Sequence, residues 1–173
     1  MKQSKETIEL IKRAKCHDAE AFSDLVQLYL SDLYKVAISI LMNDSDAADA
    51  IQDALLSCWE KIESLKNNHF FKTWLIRILI NKCFDIRKIR EKELTAYENK
   101  EIAVCDESNY EFQEMLSVLD DKYRIPMYLF YGEELKISEI ANILDIPKST
   151  VQTRLARGRD QLAKYYESET EGK

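Results

Sequence analysis

Residues 136–166, KISEIANILDIPKSTVQTRLARGRDQLAKYY, hold two apolar patterns of helical period separated by a three-residue break. Ile140, Ala141 and Leu144 share a face of the first helix, Asp145-Ile146-Pro147 make the turn, and Val151 and Leu155 pack inward from the second. A small alanine in the first helix and a β-branched valine early in the second suit a close crossing. Pro147 brings a preset φ to the first helical turn and leaves no orphaned donor there. The pattern predicts a helix-turn-helix, whose second helix enters the major groove of duplex DNA.

The polar residues of that second helix are Lys148, Ser149, Gln152, Thr153, Arg154 and Arg157, directed away from the Val151/Leu155 edge. Gln pairs with adenine and Arg with guanine through two hydrogen bonds, while Ser, Thr and Lys position the backbone or meet either base. Between Lys148 and Lys164 five cations face a single acid, Asp160, a net charge of +4. Such a helix can neutralise phosphates and release their counterions. A solvated, salt-laced face is the plainer alternative, and the helix-turn-helix context weighs against it.

A second cationic helix lies upstream. From Lys72 to Lys92 seven cations face Asp85 and Glu91, a net charge of +5. Within it Arg77, Asn81, Asp85 and Lys88 recur at steps of four and three, a polar stripe on an otherwise apolar helix. Phe70, Phe71 and Trp74 stand beside it, after the polar break at residues 63–69. Aromatics next to cations suit single-stranded nucleic acid, whose unstacked bases find stacking surfaces. For Phe71 and Trp74, burial in a core is the favoured reading.

Two more helices precede this one. In residues 21–41, Phe22, Leu25, Val26, Tyr29, Leu33, Val36 and Ile40 keep helical spacing. Asn43-Asp44-Ser45 then supply capping side chains for a helix whose apolar positions are Ala47, Ile51, Leu55, Trp59 and Ile62. Its other side carries Asp46, Asp49, Asp53 and Glu60, which repels DNA and attracts a basic protein.

Residues 91–112, EKELTAYENKEIAVCDESNYEF, are acidic without an apolar stripe and read as a flexible linker. Helical apolar spacing resumes at Met115, Leu116, Leu119, Tyr123, Met127 and Phe130. The expected organisation is all-α: a helical domain over residues 1–90, the linker, and a helix-turn-helix domain over 113–173. With 46% hydrophobic residues but only 3 Gly and 2 Pro, the composition agrees.

The same composition excludes several function classes. No Gly-rich phosphate loop, nucleophile elbow or metal-spaced cluster is present, and His17 and His69 are solitary, so neither enzyme activity nor a metal or cofactor is expected. Cys16, Cys58, Cys83 and Cys105 lack ligand spacing and read as reduced thiols. No apolar run nears the roughly 20 residues of a membrane span, and the N-terminus lacks the apolar stretch of a signal peptide, so a cytoplasmic protein is expected. The net charge of −6 is unusual for a nucleic-acid binder; the cations are concentrated in two helices.

Four segments taken in order, AFSDLVQLYLSDLYKVAISIL, DAADAIQDALLSCWEKI, FKTWLIRILINKCFDIRKIR and ISEIANILDIPKSTVQTRLARGRDQL, resemble the extracytoplasmic-function sigma factors of the sigma-70 family, which keep sigma regions 2 and 4. The resemblance implies an alternative sigma factor that brings core RNA polymerase to promoter DNA, opens it and starts transcription. Asp46, Asp49, Gln52 and Asp53 would dock on the β′ clamp helices, and the β flap would be a further polymerase contact. Asn67, Asn68, Phe70, Lys72, Arg77, Asn81 and Lys88 would read and melt the minus-ten element, holding a flipped base. Lys148, Ser149, Gln152, Thr153, Arg154 and Arg157 would read the minus-thirty-five duplex.

Regulation by an anti-sigma factor of the membrane-anchored kind that responds to envelope stress is part of the same implication; a small-molecule substrate is not. Asp145 replaces the glycine common in such turns and tolerates left-handed φ, while Gln152 stands where many relatives have a basic residue. The rival readings are a helix-turn-helix regulator that binds duplex operators without polymerase, and a nucleic-acid enzyme built on the first domain.

Overall fold

The computed structural model describes residues 4–94, 115–116 and 118–171. The chain divides into two compact units, Met1–Ile102 and Ala103–Lys173. Most of the acidic stretch 91–112 lies outside the described residues. Among the described residues every regular element is helical, and no helix is long and apolar enough to cross a membrane.

The first unit comprises α1 (Lys5–Lys15), α2 (Ala19–Leu41), α3 (Asp44–Lys61) and α4 (Phe71–Leu94). Short 3-10 turns at Ile62–Ser64 and Asn68–Phe70 connect α3 to α4. Each of the first three helices starts on a side-chain cap that accepts an otherwise orphaned N–H: Ser4 from Thr7, Asp18 from Ala21 and Asn43 from Asp46. Between α2 and α3 the chain reverses in two residues, with Met42 in the left-handed region at φ 53°.

The bundle's centre is set by small residues on α3. Ala47, Ala50, Ala54 and Cys58 are fully buried, so α3 packs closely on α2 and α4, while Leu55 and Trp59 are only half-buried. The apolar face of α3 is therefore rotated from the Leu55/Trp59 stripe expected above. From α4 come Phe71, Leu75, Ile76, Leu79, Ile80 and Cys83, and from α2 Leu25, Leu33, Val36 and Ala37. Burial pushes the Cys58 and Cys83 thiols up to about 12, which leaves them unreactive.

One ion pair joins the start of α3 to the far end of α4. Arg90 Nη2 donates to Asp46 Oδ1 at 2.6 Å, and Nε lies 2.6 Å from Oδ2. Asp46 is 8% exposed, and its burial raises the carboxyl above its ordinary value although Arg90 opposes the shift. A second tie, Lys72 Nζ to Asp32 Oδ2 at 2.7 Å, joins α4 to α2.

The second unit comprises α5 (Asp121–Met127), which runs into a π-helical turn at Tyr128–Gly132, then α6 (Ile137–Leu144) and α7 (Lys148–Glu171). The helical spacing of residues 115–130 does not run through one element, because Asp120, at φ −56° and ψ 147°, is non-helical and starts α5 afresh. α5 crosses α7 at Gly158, where a Cβ would sit 2.9 Å from Met127 Cγ. Asp145 ends α6 at φ 52°, ψ 47°, and the Ile146 N–H donates to the Ala141 carbonyl. Aspartate thus makes the left-handed turn, and the Pro147 carbonyl accepts the first bonds of α7.

Arg90→Ala strands a buried carboxylate and should cost the first unit about 2 kcal/mol in urea unfolding at neutral pH. Without Arg90 the folded-state pKa of Asp46 rises further above its unfolded value, so the deficit grows with rising pH. It should narrow as the pH falls towards the ordinary carboxylate range, about pH 4, because protonation removes the stranded charge. Gly158→Val should destabilise the second unit by about 1–3 kcal/mol by forcing α5 from α7, seen as an earlier melting transition.

Candidate nucleic-acid and protein interfaces

On α7 the packing edge and the display edge separate cleanly. Val151 and Leu155 are buried, while Lys148, Ser149, Gln152, Thr153 and Arg157 are exposed and Arg154 is half-buried. α6 is fixed at its start by the Lys136 N–H, which donates to Glu139 Oε2 at 2.9 Å, and at its end by the Asp145 turn. The Thr153 hydroxyl donates to the Ser149 carbonyl at 2.9 Å, which orients that side chain on the helix. The resulting surface offers two guanidinium groups, an ammonium, an amide and hydroxyls to a groove. Arg159 is turned elsewhere, with Nη1 3.2 Å from the Tyr131 hydroxyl.

The 3-10 turn and α4 present a second cationic surface. Arg77, Asn81, Asp85 and Lys88 are exposed along one stripe, and Phe84 beside them is 39% exposed. Phe70 is 53% exposed, whereas Phe71 is buried against Tyr29 and Trp74 is half-buried. Of the three aromatics, only Phe70 offers a largely open ring. Asn67 spends its side-chain oxygen on the His69 N–H, 3.0 Å away, leaving its amide nitrogen to donate. Asn68 is half-buried, and Lys72 is half-buried in its pair with Asp32, so the open cations of this surface are Arg77 and Lys88.

α3 presents the contrasting surface. Asp49, Gln52 and Asp53 are exposed on one face, with Glu60 further along. Asp46 requires a correction: it was expected among these docking residues, but the Arg90 pair holds it inside the bundle at the helix start. A carboxylate so committed is a brace for α3 and α4 and not part of the open face.

Two contributors to these surfaces escaped sequence reasoning. Leu56, 60% exposed, stands four residues after Gln52 in the middle of the acidic face. The signal for it is the Leu55-Leu56 pair, since a narrow buried stripe cannot hold both. Lys122, on α5, shares with Arg154 and Arg157 an open cleft of about 400 Å³. No spacing rule reveals that neighbour, because it depends on the α5/α7 crossing. His17 leans 3.3 Å from Glu63 and against Trp59, and His69 lies in the 3-10 turn.

Comparison with known proteins accounts for this combination. Residues 25–93 match the family description Sigma-70 region 2, and residues 110–162 match Sigma-70, region 4. The ECF RNA polymerase sigma factor SigW of Bacillus subtilis is 35% identical over 176 residues, covering 89% of this chain and 93% of its own. RNA polymerase sigma factor SigV of the same organism is 29% identical, covering 73% of this chain and 79% of its own. Two solved structures share the fold. The sigma factor RpoE in complex with the anti-sigma factor NepR from Bartonella quintana has a TM-score of 0.76 at 23% identity, covering 86% of this chain and 98% of its own. CnrH in complex with the cytosolic domain of CnrY has a TM-score of 0.72 at 22% identity, covering 94% and 98%. With both sigma regions in order and a relative this similar over nearly its whole length, the chain belongs to the extracytoplasmic-function sigma factors of the sigma-70 family.

Proposed function

We propose that this protein joins core RNA polymerase through the α3 face of Asp49, Gln52, Asp53 and Leu56, and selects promoters through the exposed faces of α4 and α7. The observation that carries this is the presence, in one chain, of an open acidic helix face and two open cationic ones. Opposite charge recruits a basic protein surface to the first and excludes nucleic acid from it, while α4 and α7 have the reverse preference.

In this reading the acidic face meets the β′ clamp helices, Asp49 and Asp53 steering the approach and Leu56 supplying an apolar anchor. Arg77, Asn81, Lys88 and the open ring of Phe70 hold the non-template strand of the minus-ten element once it unpairs. Stacking on an aromatic and contacts to a flipped base offset part of the unstacking cost. α7 lies in the major groove of the minus-thirty-five element, with Gln152 and Arg157 placed for base edges or phosphate. The β flap is the natural polymerase contact of the second unit.

Control by an anti-sigma protein fits the same surfaces, since any partner that covers α3 or α7 blocks initiation. Support comes from the RpoE and CnrH structures, both solved in complexes, one with an anti-sigma factor and one with a cytosolic domain. A partner with a cytosolic domain accords with a membrane-anchored inhibitor and a sigma factor acting in the cytoplasm.

Asp53→Arg should weaken binding of the full chain to core polymerase by about tenfold or more and leave its duplex binding unchanged. Equal loss in both assays would contradict the division of labour. Arg157→Ala should weaken duplex binding and, where the guanidinium meets phosphate, reduce the dependence of affinity on salt by about one ion.

A further inference from the structure

The cleft between the start of α5 and α7 extends the nucleic-acid surface beyond the helix-turn-helix. Its walls carry three cations, Lys122, Arg154 and Arg157, together with the hydroxyls of Ser149, Thr150 and Thr153, and among the described residues no carboxylate lines it. Among the described residues, no acid pairs with Arg154 or Arg157. It borders the first turn of α7, where the Pro147 carbonyl takes the Thr150 and Val151 N–H groups and the helix dipole favours an anion. Three positive charges, hydroxyl donors and a helix start around one open basin form a phosphate-binding chemistry.

Lys122 distinguishes this cleft from the recognition helix itself, because it enters from a different element. Its ammonium lies 3.1 Å from Asp120 Oδ2, with the two side chains 55% and 66% exposed. It also sits 4.9 Å from the centre of the Tyr123 ring. An exposed pair of this kind holds its partners weakly and can be exchanged for a phosphate oxygen, while the Tyr123 ring keeps the stem near the cleft.

We infer that the cleft seats a backbone phosphate of the duplex read by α7, and that Lys122 is a phosphate-positioning residue setting how deeply α7 enters the groove. The inference rests on α7 being the duplex-reading helix. Arg154 and Arg157, both on the cleft wall, then meet the backbone, leaving Gln152 nearer the base edges. Phosphate contacts carry no sequence information, so Lys122 should affect affinity without affecting preference.

The test is a salt titration of the full-length chain against a fluorescent mixed-sequence duplex and a panel of duplexes differing in sequence. Lys122→Gln should lower affinity by about three- to tenfold at low salt and reduce the log–log salt slope by about one, with the order of preference in the panel unchanged. Lys122→Arg should retain both slope and affinity. If Lys122→Gln binds like the unaltered chain while Arg157→Ala loses affinity, the phosphate seat is overturned and α7 keeps its role. Should neither change alter duplex binding, α7 is not the reading helix and both fail. A separate titration with inorganic phosphate distinguishes a free-anion site. Lys122-dependent binding of inorganic phosphate that leaves duplex affinity undiminished would overturn the seat; competition with the duplex would support it.

Discussion

The close packing of α3 on α2 and α4 governs what the first unit can present. Ala47, Ala50, Ala54 and Cys58 give α3 an inner face of small side chains, so its backbone settles deep in the bundle. Asp49, Gln52, Asp53 and Leu56 are thereby left outside. The Arg90 pair with Asp46 braces the same contact at its end, joining two helices whose outer faces carry opposite charge. A larger residue at the α3 positions would move that outer face relative to α4.

This separation reconciles an acidic chain with a DNA-binding role. A net charge of −6 is no obstacle when acids and cations are gathered on separate helix faces, since screening confines each field to about 10 Å at ordinary ionic strength. The second unit obeys the same economy. Gly158 lets α5 approach α7 closely, and that crossing is what carries Lys122 to the edge of the cationic α7 surface.

Much of this was legible in the residues because local chemistry determined it. The Asn43 cap, the left-handed Asp145, the inward Val151 and Leu155 and the helix after the paired asparagines all follow from short-range rules, and the structure has them. What escaped depended on neighbours distant in sequence. Asp46 has the same helical period as Asp49 and Asp53, and only Arg90, 44 residues away, draws it inside. Lys72 counts as a cation in any charge sum, yet Asp32 occupies it. Helix α1 was unmarked because its sequence is mostly charged and only Ile11 and Ala14 are fully buried. The break before α5 was hidden by apolar spacing that runs through it, although Asp120 stands at the point of interruption.

The most direct measurement is transcription of fragmented genomic DNA from the native host by core RNA polymerase, with and without the purified chain, followed by sequencing of RNA 5′ ends. The account predicts start sites that appear only when the chain is present and share two sequence elements at constant spacing upstream. Identical start sites in both reactions, with the chain still bound to duplex DNA, would contradict it.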